Sequence, residues 1–132
     1  TEVADVLEKE YNFSAEIIDA RSIVPFNYEL VIESIKKTGR ILLVSDACER
    51  GSILNDMAAN ITEFAFDYLD APPVVVGSRN WITPPYEMEE YFFPQEGWML
   101  DAIHQKILPL EGHKVRHDLS NKEKLQRAKK GV

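Results

Sequence analysis

The chain has 132 residues, of which 45% are hydrophobic, and its formal net charge is −7 at pH 7. The length and apolar content predict a single globular domain, and the acidic balance argues against a nucleic-acid partner because phosphate binding relies on clustered Lys and Arg. No apolar run approaches the roughly 20 residues of a membrane-spanning helix, so no membrane partner is expected, and the one cysteine, Cys48, favours a reducing, cytoplasmic location.

Two elements are predicted before the first proline. Apolar residues at positions 3, 6 and 7 have the spacing of a helix. The run 13–20 predicts a buried strand that ends near Ala20. Pro25 then prevents a simple continuation of the strand, because proline has no amide hydrogen for the ladder.

The middle of the chain alternates between helix and strand. Asn27 as an N-cap and Gly39 after the last turn delimit a helix. Residues 40–45 form a nearly all-apolar run, typical of a strand covered on both faces. A long helix with apolar residues at spacings of three and four starts at Gly51 and Ser52 and ends before the prolines at 72 and 73.

The remaining elements complete an alternating order. Residues 74–77 predict a third strand, an irregular stretch rich in aromatic residues and prolines covers 81–94, and a final helix lies near 97–108. Helices that alternate with parallel-type strands predict an α/β domain over residues 1–110, a three-layer α/β/α sandwich around a mostly parallel sheet.

Residues 111–132 form a basic tail behind an acidic body, with seven Lys or Arg against three Asp or Glu. Because sizeable apolar residues are few there, the tail is predicted to be a mobile or partner-dependent extension with at most one helix near 121–129. Docking onto an acidic surface of a neighbouring subunit is one hypothesis for its role, and a solvated terminus is the other.

Three stretches of the chain, in order, resemble one family. Residues 16–26 (EIIDARSIVPF) are similar to the V-I-D-L-R-S/T-I/L-x-P segment in the beta subunits of branched-chain 2-oxo-acid and pyruvate dehydrogenases. Residues 37–44 (KTGRILLV) are similar to the family's K-T-G-R-L-L-V-V, and residues 65–72 (AFDYLDAP) to its x-F-x-x-L-x-A-P. Over about residues 3–108 the chain resembles the C-terminal domain of these transketolase-like, thiamine-diphosphate-dependent enzymes.

The resemblance implies a non-catalytic role in assembly. In this family thiamine diphosphate and magnesium lie between two preceding domains, whereas the third domain builds the dimer and contacts the dihydrolipoyl acyltransferase core. We therefore expect no catalytic residue, bound cofactor or metal ion in this chain. The expected partners are a second copy, other domains or subunits of the same enzyme, and the acyltransferase core, while the 2-oxo acid is left open because its contacts come largely from the other domains.

The chain departs from the family pattern at three places. Ser45 and Asp46 stand where the family has His-Glu, and residues 50–52 stand where it has Thr-Gly-Gly, so no catalytic role is carried onto Ser45. Family domains also have a strand in the middle of the sheet, between those matching Ile17 and Leu43. We expect this chain to lack it, as a domain truncated at its N-terminus whose strand edges must pair, swap or be covered.

Aromatic side chains crowd the stretch between positions 81 and 98. Such density is too apolar for an ordinary exposed loop, and it indicates either a subunit interface or packing beneath the final helix. The interface hypothesis also rests on a resemblance to the family's F-x-P-x-x-x-P region. The candidate interface residues are Trp81, Tyr86, Tyr91, Phe92, Phe93 and Trp98.

A stand-alone anion- or effector-binding module of the same fold is the alternative function. Open α/β folds bind ligands at the carboxyl edge of the sheet, and helix N-termini bind anions. The candidate site residues are Asp19, Arg21, Ser45, Asp46, Arg50, Gly51 and Ser52. The structural interpretation of the same residues is an Asp19–Arg21 ion pair and simple capping of the helix at Ser52.

Three further hypotheses concern single residue types. Asp46 would accept a phosphoryl group in a signalling domain only beside an acidic pair and a lysine, and neither is evident in the sequence. Cys48, with no histidine close in sequence, is interpreted as structural rather than nucleophilic. The histidines at positions 104, 113 and 117 lack zinc-like spacing and are interpreted as solvated or core-edge residues.

Overall fold

Seven helices and strands follow one another in the computed structural model, which describes residues 2–131. They are α1 (Glu2–Tyr11), α2 (Tyr28–Thr38), β1 (Leu42–Cys48), α3 (Ile53–Ala65), β2 (Val74–Ser78), α4 (Glu96–Lys106) and α5 (Asn121–Lys130), with short 3₁₀ turns at Phe66–Tyr68 and Tyr86–Tyr91. The two strands pair in parallel, and an irregularity between Val44 and Cys48 interrupts their ladder.

Helices cover both faces of the sheet because the side chains of β2 alternate between them. Val74 and Val76 pack with Trp98 and Ala102 of α4, whereas Val75 packs with Leu54 and Met57 of α3. Beyond these contacts α2 packs on α3, and α1 packs on α4. The three-layer α/β/α arrangement predicted from the alternation of elements is therefore confirmed.

The ends of α2 show how local sequence positions an element. The Asn27 side chain accepts a hydrogen bond from the Leu30 amide and caps the first turn. Gly39 ends the helix with a φ of +68°, a conformation that glycine adopts without strain. A side chain at this position would also collide with the Asp70 carboxylate. The backbone amide of Asp70 donates to the Gly39 carbonyl at 2.7 Å.

The predicted strand at 13–20 is wrong. Residues 12–27 form neither helix nor strand, and Ile17, expected in the core, is 60% exposed. A strand exists only where a second backbone supplies its hydrogen bonds, and within residues 2–131 β1 pairs with β2 alone. Single hydrogen bonds hold the segment instead. The Phe13 amide donates to the Leu7 carbonyl, and the Lys37 ammonium donates to the Glu16 carboxylate.

The tail is packed against the body, which differs from the predicted mobile extension. Leu119 is buried and joins the cluster formed by β2 and α4. The helix predicted near 121–129 is confirmed as α5, and the Ser120 hydroxyl caps it by accepting from the Glu123 amide. The division of the chain at residue 110 stays a prediction.

None of the helices within residues 2–131 has both the length and the apolar character needed to cross a lipid bilayer.

Candidate functional site

The six candidate interface residues divide into buried and exposed groups. Phe92 and Trp98 are buried, and Phe93 is half-buried with its ring packed edge-on against Phe92 at 4.9 Å between centroids. The Phe92 carbonyl accepts a hydrogen bond from the Arg79 amide, which fixes this end of the loop beside β2. Trp98, on α4, packs against Val74 and Val76 of β2. The burial of Phe92 and Trp98 therefore favours packing within the domain.

The other three aromatics lie on the surface. Trp81 is 53% exposed and Tyr86 is 81% exposed, and Tyr91 is exposed on the same loop. A hydrogen bond to Glu90 and the negative charge of that residue raise the pKa of the Tyr91 phenol. Their place in a subunit interface stays a prediction.

Sequence reasoning missed two exposed apolar residues in this loop. Ile82 is 93% exposed, and Met88 is also exposed. Both stand among the aromatics and prolines of the same stretch, so a count of all apolar side chains, rather than of aromatic ones, finds them. We call Trp81, Ile82, Tyr86, Met88 and Tyr91 together the aromatic loop surface.

The candidate effector residues lie in two places. Asp19 and Arg21 form an ion pair at 2.9 Å, and both side chains are largely exposed on the irregular segment before α2. The other five residues lie at the carboxyl end of β1 and the start of α3. Within residues 2–131 no hydrogen bond or ion pair joins the two groups, and their service as one anion site stays a prediction.

Local hydrogen bonds shape the chain after β1. The Ser45 hydroxyl accepts from the Ala47 amide at 3.1 Å. The Asn80 side chain accepts from both the Cys48 thiol and the Arg50 amide, so it ties this turn to the loop after β2. Gly51 has a φ of +71°, and the Ser52 hydroxyl is buried with no partner among residues 2–131. These contacts give Cys48 a structural partner.

A buried carboxylate that sequence reasoning missed holds the tail in place. Asp101, 1% exposed on α4, accepts hydrogen bonds from the His113 ring at 2.6 Å and the His117 ring at 3.0 Å. The backbone amides of Arg116 and His117 donate to the same carboxylate at 3.1 and 2.8 Å. We call this group the Asp101 latch.

The latch keeps Asp101 ionised. Burial raises the pKa of its carboxyl, but the hydrogen bonds from His113, His117 and Arg116 outweigh burial and leave that pKa below its ordinary value. The signal in the sequence was an aspartate among the apolar residues of α4, between Trp98 and Ala102. A buried carboxylate is stable there only if hydrogen-bond donors surround it. The same contacts place His113 at the core edge.

Comparisons with known proteins agree with the fold. Residues 1–97 match the family model "Transketolase, C-terminal domain". The chain is 35% identical over 112 residues to the "Pyruvate dehydrogenase E1 component subunit beta, mitochondrial" of Saccharomyces cerevisiae, an alignment that covers 83% of this chain and 30% of that protein. It is 38% identical over 93 residues to the "2-oxoisovalerate dehydrogenase subunit beta" of Bacillus subtilis, covering 69% of this chain and 28% of that protein.

The alignments cover only part of each relative. The chain spans between 19% and 31% of the length of the curated relatives it matches. The matched stretch contains α1, both strands and the residues that resembled the family motifs. The chain therefore belongs to the transketolase C-terminal domain family, in the form that is found in the beta subunits of 2-oxo-acid dehydrogenases.

Proposed function

We propose that this chain is a non-catalytic assembly domain of a thiamine-diphosphate-dependent 2-oxo-acid dehydrogenase, the component that decarboxylates a 2-oxo acid of the 2-oxoisovalerate or pyruvate type. The observation that carries the proposal is the aromatic loop surface, with Ile82 at 93% exposure. Large apolar side chains on the surface of a folded domain mark protein contacts when they are grouped.

The composition of this surface fits an interface core. Tryptophan and tyrosine are enriched among the residues that dominate binding energy, since they bury large areas and lose few rotamers. A fully buried aromatic side chain removes about 150–250 Å² from water, and Trp81, Tyr86 and Tyr91 are 53%, 81% and 58% exposed. Together they could supply roughly 300–500 Å² of the roughly 800 Å² per partner of a standard interface. The occupant we propose is a second copy or another subunit of the same enzyme.

A second apolar surface supports the same proposal. The segment 12–27 exposes Phe13, Ile17, Ile23 and Val24, and within residues 2–131 β1 has a paired strand on one side only. Unpaired edges and exposed aliphatic side chains favour association with another backbone. The acyltransferase core is a further candidate partner for these surfaces.

We assign no cofactor binding to this chain. In the proposed enzyme, thiamine diphosphate and magnesium would be held by other domains. Among the described residues no group of three or more His, Cys, Asp or Glu is arranged to hold a metal ion. Ser45, where the family has a histidine, uses its hydroxyl in a local hydrogen bond to the Ala47 amide, which supports the absence of a catalytic role.

The test is the molar mass of the chain in solution, measured by light scattering on a size-exclusion column over a range of concentrations. We expect a dimer that dissociates when Trp81 or Ile82 is changed to Glu. The matched control is Phe66→Glu, because Phe66 is equally apolar and 72% exposed but lies at the end of α3. A strict monomer at high concentration, or equal dissociation by the control, would contradict the proposal.

A further inference from the structure

A cleft of about 750 Å³ lies between the carboxyl end of β2, α4 and the tail. Its walls carry seven Lys or Arg side chains and four carboxylates, although the chain as a whole has a net charge of −7. The cations outnumber the carboxylates, and an excess of one sign of charge in a concave site attracts ligands of the opposite sign. We call this site the basic cleft.

Two cations on its floor have no ion-pair partner among residues 2–131. Arg79 is half-buried, and its guanidinium stacks on the Trp98 ring at 3.9 Å from the centroid. Lys106 is half-buried on α4. Burial is the main cause that lowers the pKa of both groups, and neighbouring positive charges, Lys124 at Lys106 and Arg127 at both, lower it further against the opposing charge of Glu49. The site therefore holds two half-buried cations that form no ion pair among residues 2–131.

Three of the four carboxylates that line the cleft are already engaged. Glu49 pairs with Lys124 at 3.5 Å, and Glu123 pairs with Arg127 at 3.1 Å within α5. Asp118 accepts from the Ser120 amide. A half-buried cation without an acceptor is unfavourable, and a bound anion removes that cost.

We propose that the basic cleft binds a small ligand with more than one phosphate group, with Arg79 and Lys106 as its primary contacts. Stacking on Trp98 holds the Arg79 guanidinium in one plane, and a fixed planar fork of donors suits a phosphate better than a mobile ammonium does. The volume lies in the range of small-molecule sites and exceeds the needs of a single phosphate. The cleft shares Arg50 with the anion site considered in the sequence but contains none of that site's other residues, and this role goes beyond assembly.

The experiment is calorimetric titration of the full chain with sodium pyrophosphate at low ionic strength, repeated with orthophosphate and at higher salt. We expect one pyrophosphate per chain, bound more tightly than orthophosphate, with an affinity that falls as salt screens the cations. Arg79→Gln and Lys106→Gln should each lower the affinity about tenfold or more, since each removes a charge-assisted contact.

Two controls separate loss of binding from loss of folding or of net charge. Lys9→Gln makes the same change in charge at an exposed position of α1, outside the cleft, and should leave the affinity unchanged. Lys106→Gln removes a half-buried cation that Lys124 and Arg127 repel, so the ligand-free variant should melt no lower than the wild type. The absence of pyrophosphate binding at millimolar concentration, equal affinity for orthophosphate, or an equal loss in Lys9→Gln would overturn the proposal.

Discussion

Replacement of Asp101 by Ala removes the acceptor of all four hydrogen bonds in the latch. Hydrogen bonds to charged groups contribute about 1.5–3 kcal/mol each, and a buried donor left unpaired costs about 1–3 kcal/mol. The His117 ring is partly exposed and can turn to water, whereas the amides of Arg116 and His117 and the His113 ring lose a buried acceptor. We expect the free energy of unfolding to fall by about 3–5 kcal/mol.

The conservative variant Asp101→Asn keeps the size of the side chain and one acceptor oxygen. We expect a loss of about 1–2 kcal/mol, because the charge is removed and one donor must face an amide nitrogen. The assay is urea unfolding followed by tryptophan fluorescence, which reports on the latch because the His117 ring lies 5.8 Å from that of Trp98. Amide hydrogen exchange over residues 111–120 shows whether the tail opens first.

The exposed aspartate Asp46 supplies the control, since Asp46→Asn removes the same charge without breaking a buried contact. Its free energy of unfolding should stay within about 0.5 kcal/mol of the wild type. If Asp101→Ala also stays within about 1 kcal/mol, well inside the usual loss for a broken buried network, or if the tail exchanges no faster in that variant, then the latch does not hold the tail and the reasoning is refuted.

Two further predictions follow from charge and from backbone geometry. Because the pKa of folded Asp101 lies below its ordinary value, the stability that its charge contributes is present above about pH 4 and is lost as the pH falls through the folded pKa. The difference in unfolding free energy between wild type and Asp101→Asn should therefore shrink in acid. A difference that stays constant with pH would contradict this. Gly39→Ala places an L side chain at a φ of +68° and should lower stability by about 1–2 kcal/mol. Gly97→Ala, which meets no atom within 4 Å, should be neutral or stabilising in thermal melts, and equal melting of the two variants would argue against strain at Gly39.

Signals within a few residues predicted most of the fold. The cap at Asn27 and the glycine at position 39 bounded α2 as observed, and the apolar spacing after Ser52 marked α3. The apolar run after Arg40 located β1, which the structure extends to Cys48. These features act through neighbouring residues, so the sequence carries them directly.

Features that depend on distant partners were not predicted. The apolar run at 13–20 has the composition of a strand, but composition does not supply the backbone with which it must pair. The tail has few apolar residues, yet a single aspartate on α4 fixes it through contacts 12 to 16 residues away. The six clustered aromatics looked alike in the sequence, and only packing against β2 separates Trp98 from Trp81.

The apolar core on the α4 face of the sheet includes residues from beyond α4. Val74 and Val76 are covered there by Trp98, Ala102 and Leu119. Side chains from α4 and the tail therefore complete the apolar cluster on this face of β2. A chain cut before α4 would leave an uncovered sheet face with no element to replace it. Any shortened version made for expression should therefore retain the residues through Leu119, because that side chain completes the apolar core on the α4 face.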